Sequence, residues 1–199
     1  FSIDLEDLKE NKKLIEASEK ALESAIKTAR KNVEIREIGK AIQKEIESRG
    51  FSPITNLSGH GVDRYVLHSR ISIPNFDNKS NVELEKGTYA IEPFSTMGNG
   101  KIHDGKPSGI YRLVEEKNVR SPIAREALNF IIEEYQTLPF CSRWLVKKLG
   151  TKALIGLRQL EENGNIQSYA ELVESSNGKV AQTEHTILVE DKEVIVTTR

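Results

Sequence analysis

The chain has 199 residues, of which 37% are hydrophobic and 30% charged, and its formal net charge is −1. This length can bury a real core, as one domain or as one domain with an insert. The balanced charge gives no general attraction to nucleic acid or to an anionic membrane, and no apolar run is long enough to span a bilayer. The single cysteine, Cys141, excludes an internal disulfide and indicates a reducing compartment, so we expect a cytoplasmic protein.

Five segments have the apolar spacing that is typical of amphipathic helices. In the second of them, four isoleucines, from Ile35 to Ile46, would share one face, and Gly50 would end the helix. Charged residues fill the outer faces of the first two, which are therefore expected to cover one side of a sheet. The predicted helices are residues 8–30, 35–50, 125–135, 144–149 and 153–162.

Strand signals begin near residue 64 and alternate with turns rich in glycine, proline and asparagine. Two carboxylates stand within these apolar runs: Glu92 lies near the end of one and Glu184 lies inside another. The predicted strands are residues 64–67, 71–73, 88–94, 110–114, 180–189 and 193–197.

Residues 56–68 (NLSGHGVDRYVLH) carry two histidines, His60 and His68, eight residues apart. Glycines on both sides of His60 would let the backbone bend close to whatever the imidazole contacts. A carboxylate buried alone costs on the order of several kcal/mol, so Glu92 and Glu184 would need a partner or a metal. A set of one imidazole and two carboxylates suits Mn, Fe, Co or Zn. From the residues alone, structural histidines and solvent-facing glutamates remain the alternative.

Four stretches resemble the type II methionine aminopeptidases, in the order and with separations similar to those of that family. They are NLSGHG (56–61), AIEPF (90–94), TLPFCSRWL (137–145) and QTEHTI (182–187). The resemblance implies an α+β "pita-bread" fold, in which helices back a curved antiparallel sheet. It also implies an enzyme that removes the initiator methionine from nascent chains whose next residue is small.

The resemblance also implies roles for single residues. His60, Glu92 and Glu184 match ligands of a site for two divalent ions (Co, Mn, Fe or Zn), and Glu92 matches the carboxylate that also moves a proton. His68 matches the histidine that contacts substrate near the scissile bond. The residues that match the methionine pocket are apolar or aromatic, as a thioether side chain requires. They are Leu67, Phe94, Ile110, Pro139 and Tyr169.

The domain organisation follows from the same resemblance. Residues 1–103 and 170–199 would form the catalytic domain, and residues 104–169 would be an inserted helical subdomain of winged-helix character. We expect a monomer that acts on nascent polypeptide N-termini, with the ribosome as a further candidate partner. Direct nucleic-acid binding and membrane binding are not expected.

Two aspartate ligands of the family, in Asp-x-Gly and Asp-Thr-Ala contexts, have no counterpart, and a further family histidine is missing. Asp4 and Asp7 are predicted helix caps instead. We expect the chain to be the C-terminal portion of the enzyme, because the later ligands and pocket residues are intact. The alternative is a relative that has lost its site. Thr183 stands where the family commonly has an aromatic residue.

Three other functions compete with this one. A non-catalytic pita-bread relative that binds ribosomes or nucleic acid would be expected to replace His60, Glu92 or Glu184. A winged-helix DNA binder should cluster Lys and Arg on its reading helix, whereas Arg158 is followed closely by Glu161 and Glu162. The insert and the pocket residues argue against a proline dipeptidase of the same fold.

Overall fold

The computed structural model describes residues 1–198, except the side chain of Arg70. The chain forms five α-helices and eleven β-strands within that part. The helices are α1 (Lys9–Thr28), α2 (Ile35–Glu47), α3 (Pro122–Glu134), α4 (Ser142–Leu149) and α5 (Ala153–Glu162). The strands are β1 (Ser52–Pro53), β2 (Ser58–Asp63), β3 (Val66–Pro74), β4 (Gly87–Ile91), β5 (Phe94–Thr96), β6 (Ile102–Leu113), β7 (Phe140–Cys141), β8 (Ile166–Glu174), β9 (Val180–Gln182), β10 (His185–Val189) and β11 (Val194–Val196). No helix of the described residues is long and apolar enough to cross a membrane.

The chain divides into two compact units. The first unit comprises Phe1–Asp63, Leu67–His103 and Val173–Arg199. The second unit comprises Arg64–Val66 and Asp104–Leu172.

The first unit contains a five-stranded sheet in the order β11-β10-β4-β2-β3 and a three-stranded sheet in the order β1-β5-β9. Helix α1 packs against β5 and β9 of the smaller sheet and β4 of the larger one, and α2 packs against β1. Their apolar stripes meet Tyr89 and Ile91 of β4 and Ile187 and Val189 of β10 in one buried cluster. Removing these apolar faces from water is the main force that holds the unit together.

The second unit has its own core, in which α3, α4 and α5 pack beside the strand order β7-β6-β8. Phe140 is 1% exposed and stacks on Tyr135 with ring centroids 5.2 Å apart. Leu145, Leu157 and Leu160 fill the space between the helices. The three short helices are therefore held by shared apolar burial rather than by their own length.

Several predicted boundaries are wrong for identifiable reasons. Residues 180–189 were expected as one strand but form β9 and β10, because the chain changes partner sheets between them. The glycine-rich stretch before residue 110 belongs to β6, which begins at Ile102. Asp4 does not cap α1: Leu8 is the N-cap residue, and Asp4 instead accepts hydrogen bonds from the backbone N–H of Glu6 and of Leu8.

Candidate active site

Both predicted carboxylates lie where a strand leaves one sheet of the first unit and enters the other. Glu92 and Pro93 separate β4 from β5, and Thr183 and Glu184 separate β9 from β10. The two breaks are adjacent, because Phe94 pairs with Gln182 on one side and Ile91 pairs with His185 on the other. We call these four residues, 92–93 and 183–184, the strand switch. At such a break the side chains no longer alternate strictly between the two faces of one sheet, so the neighbouring carboxylates can point into the same space.

His60 reaches the same place from strand β2. It lies opposite Ala90 in the β2–β4 ladder. Its Nε2 atom is 3.4 Å from Oε1 of Glu92, and the two side chains are only 12% and 15% exposed. Nδ1 of His60 lies 3.2 Å from the carbonyl oxygen of Gly61. Since a carbonyl can only accept, Nδ1 donates the hydrogen of this contact, and Nε2 is the ring nitrogen that faces Glu92.

The two glycines around His60 do not provide the predicted bend of the backbone. Gly59 and Gly61 lie in strand β2, and neither is among the glycines with positive φ. Gly59 instead lets β2 approach β4, because a Cβ there would be 2.3 Å from the carbonyl oxygen of Ala90. The absence of a side chain therefore sets how close His60 comes to Glu92.

Burial raises the pKa of Glu92, the negative charge of Glu184 raises it further, and a hydrogen bond from Gln182 lowers it, so that the pKa is about 7. Glu184 itself is exposed and lines a cavity of about 470 Å³ with Leu22 and Ile26 of α1. A carboxyl group with a pKa near neutrality can both accept and release a proton at physiological pH.

His68, on strand β3, also reaches this cluster. Its ring centroid is 4.3 Å from that of His60, and the two rings are nearly perpendicular. The structure thus places His60, Glu92, Glu184 and His68 in one region of the first unit.

The five predicted pocket residues fall into two groups. Leu67 precedes His68 on β3 and Phe94 opens β5, both in the first unit. The other three belong to the second unit. There Ile110 and Pro139 line a single cavity of about 430 Å³, and the backbone oxygen of Tyr169 accepts a hydrogen bond from Ser108.

Sequence reasoning missed Gln182, whose side-chain nitrogen lies 3.4 Å from Oε2 of Glu92 and 3.1 Å from Oε2 of Glu184. Its position two residues before Glu184, in the QTEHTI stretch, is the signal that was available.

It also missed Glu174, a buried carboxylate that accepts hydrogen bonds from the backbone N–H groups of Asn99, Ser176 and Gly178. Burial raises the pKa of Glu174, but these bonds and the one from the Ser176 hydroxyl lower it more, to about 2.

The fold and the site together define a class of protein. The sequence model of metallopeptidase family M24 matches residues 1–191, and the chain belongs to that family. Its fold is the pita-bread fold. Solved structures that share it include a thermophilic Arx1 (TM-score 0.73, 14% identity, covering 92% of this chain and 56% of that one). Another is a methionine aminopeptidase from Thermotoga maritima (TM-score 0.59, 23% identity, covering 96% of this chain and 53% of that one).

Curated relatives are more similar in sequence. The methionine aminopeptidase of Pyrococcus abyssi is 50% identical over 188 residues, which are 93% of this chain and 64% of that protein. The methionine aminopeptidase of Saccharolobus solfataricus is 37% identical over 193 residues, which are 94% of this chain and 64% of that protein. The chain therefore spans about two thirds of the length of these relatives.

Membership of a metallopeptidase family implies divalent metal ions, and the residues present fit such an ion in kind. An imidazole nitrogen and two carboxylates are the donors that Mn, Fe, Co and Zn accept, and His60 and Glu92 are already in contact. These donor residues are too few to complete a metal site. Among residues 1–198, no group of three or more His, Cys, Asp or Glu side chains is placed to hold a metal ion.

Proposed function

We propose that the chain forms part of the active site of a type II methionine aminopeptidase, with His60, Glu92 and Glu184 as metal ligands. The observation that carries the proposal is the strand switch. Two strand breaks place two carboxylates beside the same amide nitrogen, and one of these carboxylates contacts a largely buried imidazole. The relatives named methionine aminopeptidase, at up to 50% identity, support the choice among M24 peptidases.

Further ligands of the metal site would come from sequence outside these 199 residues. The support for this is the incomplete donor set at the strand switch, together with the 64% of the relatives' length that the chain spans. The chain would then correspond to the C-terminal portion of the family's enzyme.

Two divalent ions of the Co, Mn, Fe or Zn type, when bound, would supply a water of lowered pKa and a polarised peptide carbonyl. The work of this chain's own residues is proton transfer and orientation. Glu92, whose carboxylate contacts His60 at the strand switch, accepts the proton of the attacking water and passes it to the leaving amine. His68 donates a hydrogen bond near the scissile bond, where negative charge develops on the carbonyl oxygen.

The substrate would be a polypeptide whose first residue is methionine and whose second residue is small. The proposed contacts of the methionine side chain are those that the resemblance implies: Leu67, Phe94, Ile110, Pro139 and Tyr169. The cavity that contains Ile110 and Pro139 also has Phe140 and Trp144 in its wall, and aromatic and aliphatic surfaces suit a thioether.

The second unit would be the insert that distinguishes type II from type I enzymes, equivalent to the predicted segment 104–169. In the cell, the protein would be a cytoplasmic monomer that meets nascent chains, with the ribosome as the place of encounter. The likeness to Arx1, at 14% identity, concerns the fold alone and does not bear on the non-catalytic alternative.

The test is to join the 199 residues to the part of the Pyrococcus abyssi relative that the comparison leaves uncovered, and to measure methionine release from Met-Ala-Ser with added Co²⁺ or Mn²⁺. We expect the joined protein to release methionine from Met-Ala-Ser. It should release none from the same peptide with an acetylated N-terminus. Glu92→Gln should reduce the rate by about 10²- to 10⁴-fold, the usual contribution of a general base. The exposed Glu85→Gln serves as the matched control.

Two results would contradict the proposal. One is a joined protein that folds and binds the added ion but leaves Met-Ala-Ser intact. The other is strong turnover by the 199 residues alone, since that would require a complete site of different composition.

A further inference from the structure

Gln182 occupies the space between the two carboxylates of the strand switch. Its amide nitrogen lies 3.4 Å from Oε2 of Glu92 and 3.1 Å from Oε2 of Glu184. An amide nitrogen has two hydrogens and no acceptor, whereas the amide oxygen would be repelled by both carboxylates. The two glutamates therefore fix the orientation of the Gln182 amide, and each of its hydrogens is donated to one carboxylate.

The backbone of Gln182 is held as firmly as its side chain. The Ser2 hydroxyl accepts a hydrogen bond from the N–H of Gln182 at 2.9 Å and donates one to its carbonyl oxygen at 3.0 Å. On the other side, Gln182 pairs with Phe94 in the β5–β9 ladder. Because the main chain is fixed from both sides, the side chain has few other places to go.

Two neighbouring carboxylates repel each other, and without a restraint they would turn apart. We propose that Gln182 is a positioning residue, which holds Glu92 and Glu184 together before a cation arrives. The inference rests on the metal site proposed above. It adds that the orientation of the two ligands is prepared by the amide rather than imposed by the ion. Residues that orient metal ligands typically change metal affinity by 10- to 100-fold when they are replaced.

The test uses the joined protein described above, which supplies the further ligands, and Mn²⁺, with free Mn²⁺ measured by electron paramagnetic resonance up to millimolar concentrations. Gln182→Met keeps the length of the side chain but removes both donors, and we expect its Kd for Mn²⁺ to rise by about 10- to 100-fold. Gln182→Asn keeps the amide but is too short to reach both carboxylates, so it should weaken binding in the same direction. The matched control is Gln43→Met on α2, which also removes an amide-to-carboxylate hydrogen bond, at 2.7 Å to Glu47.

A second readout separates positioning from general stabilisation. Visible absorption of bound Co²⁺ reports the arrangement of its ligands, so the spectrum should change in Gln182→Met and stay that of wild type in Gln43→Met. A merely structural role would lower the unfolding temperature of the metal-free chain without changing the spectrum of the folded part.

The outcomes distinguish the inference from the function on which it rests. If wild type binds Mn²⁺ and both Gln182 variants bind it within about twofold of wild type, well short of the usual effect, the inference is overturned and the metal site stands. Equal weakening by Gln43→Met would also overturn it. If wild type binds neither Mn²⁺ nor Co²⁺, the proposed metal site fails and the inference fails with it.

Discussion

Replacing Gly59 by alanine should push strand β2 away from β4. The new Cβ would meet backbone, at 2.3 Å from the oxygen of Ala90 and 3.3 Å from Cα of Ile91. Ordinary contacts between a carbon and a carbonyl oxygen are about 3.3 to 3.6 Å, so the strand must move by roughly 1 Å. Because His60 is the next residue, its ring would move away from Glu92.

The size of the effect follows from two opposing contributions. Overpacking against atoms that cannot rotate costs about 1–3 kcal/mol. Replacing glycine in an extended strand returns about 0.5–1 kcal/mol of backbone entropy. The midpoints of the two ranges leave a net loss of about 1.3 kcal/mol, and at about 2–4 °C per kcal/mol for a chain of this size the unfolding temperature should fall by about 3–5 °C.

The assay is calorimetric unfolding of the metal-free chain, followed by Mn²⁺ titration of the folded variant. Gly61→Ala is the matched control, since its Cβ would meet the Ser69 hydroxyl, also at 2.3 Å. A hydroxyl can rotate away whereas a strand backbone cannot, so this variant should lose less than about 1 kcal/mol. An unchanged unfolding temperature and unchanged Mn²⁺ affinity in Gly59→Ala would refute the reasoning, as would a larger loss in the control.

Three further predictions concern the scaffold around the site. Glu174 has its pKa lowered from 4.5 to about 2 in the folded chain. The stability that Glu174 contributes is therefore fully present above pH 4.5 and lost as the pH falls toward 2. The unfolding temperatures of wild type and Glu174→Gln should converge over that range. A difference in unfolding temperature that stays constant with pH would contradict this. The hydroxyls of Ser18 and Thr183 are 2.8 Å apart. A double-mutant cycle with Ser18→Ala and Thr183→Val should therefore give a coupling free energy of about 0.5–1.5 kcal/mol in urea unfolding. Additive losses of stability would contradict this. Ile42 is fully buried under the larger sheet, so Ile42→Ala should cost about 2–5 kcal/mol in the same assay, while the exposed Lys40→Ala should change stability by less than about 0.5 kcal/mol.

The helices were predictable because their signal is local. Ile35, Ile38, Ile42 and Ile46 recur at the helical period, and all four are at most 5% exposed. A helix satisfies its backbone within itself, so a window of sequence contains nearly all that decides its place. The same holds for α5, whose predicted bounds 153–162 match the observed helix.

The break between β9 and β10 was not predictable in this way. Residues 180–189 have the composition of one continuous strand, and no glycine or proline interrupts them. The chain changes sheets at Thr183 and Glu184 because its two neighbouring ladders, with β5 and with β4, belong to different sheets. Only the partner strands decide where the break falls, and they are distant in sequence.

For the same reason, the sequence could provide only part of the candidate site. Glu92 and Glu184 stood out because a carboxylate is unexpected in an apolar run. Gln182 did not stand out, because an amide in a strand is unremarkable until two carboxylates are found beside it. The proposed ligands are thus recognisable from their residue type, whereas the residue proposed to orient them is recognisable only from its place at the strand switch. In a fold of this kind, a search for orienting residues should start from the paired breaks between two sheets and move one residue along each strand.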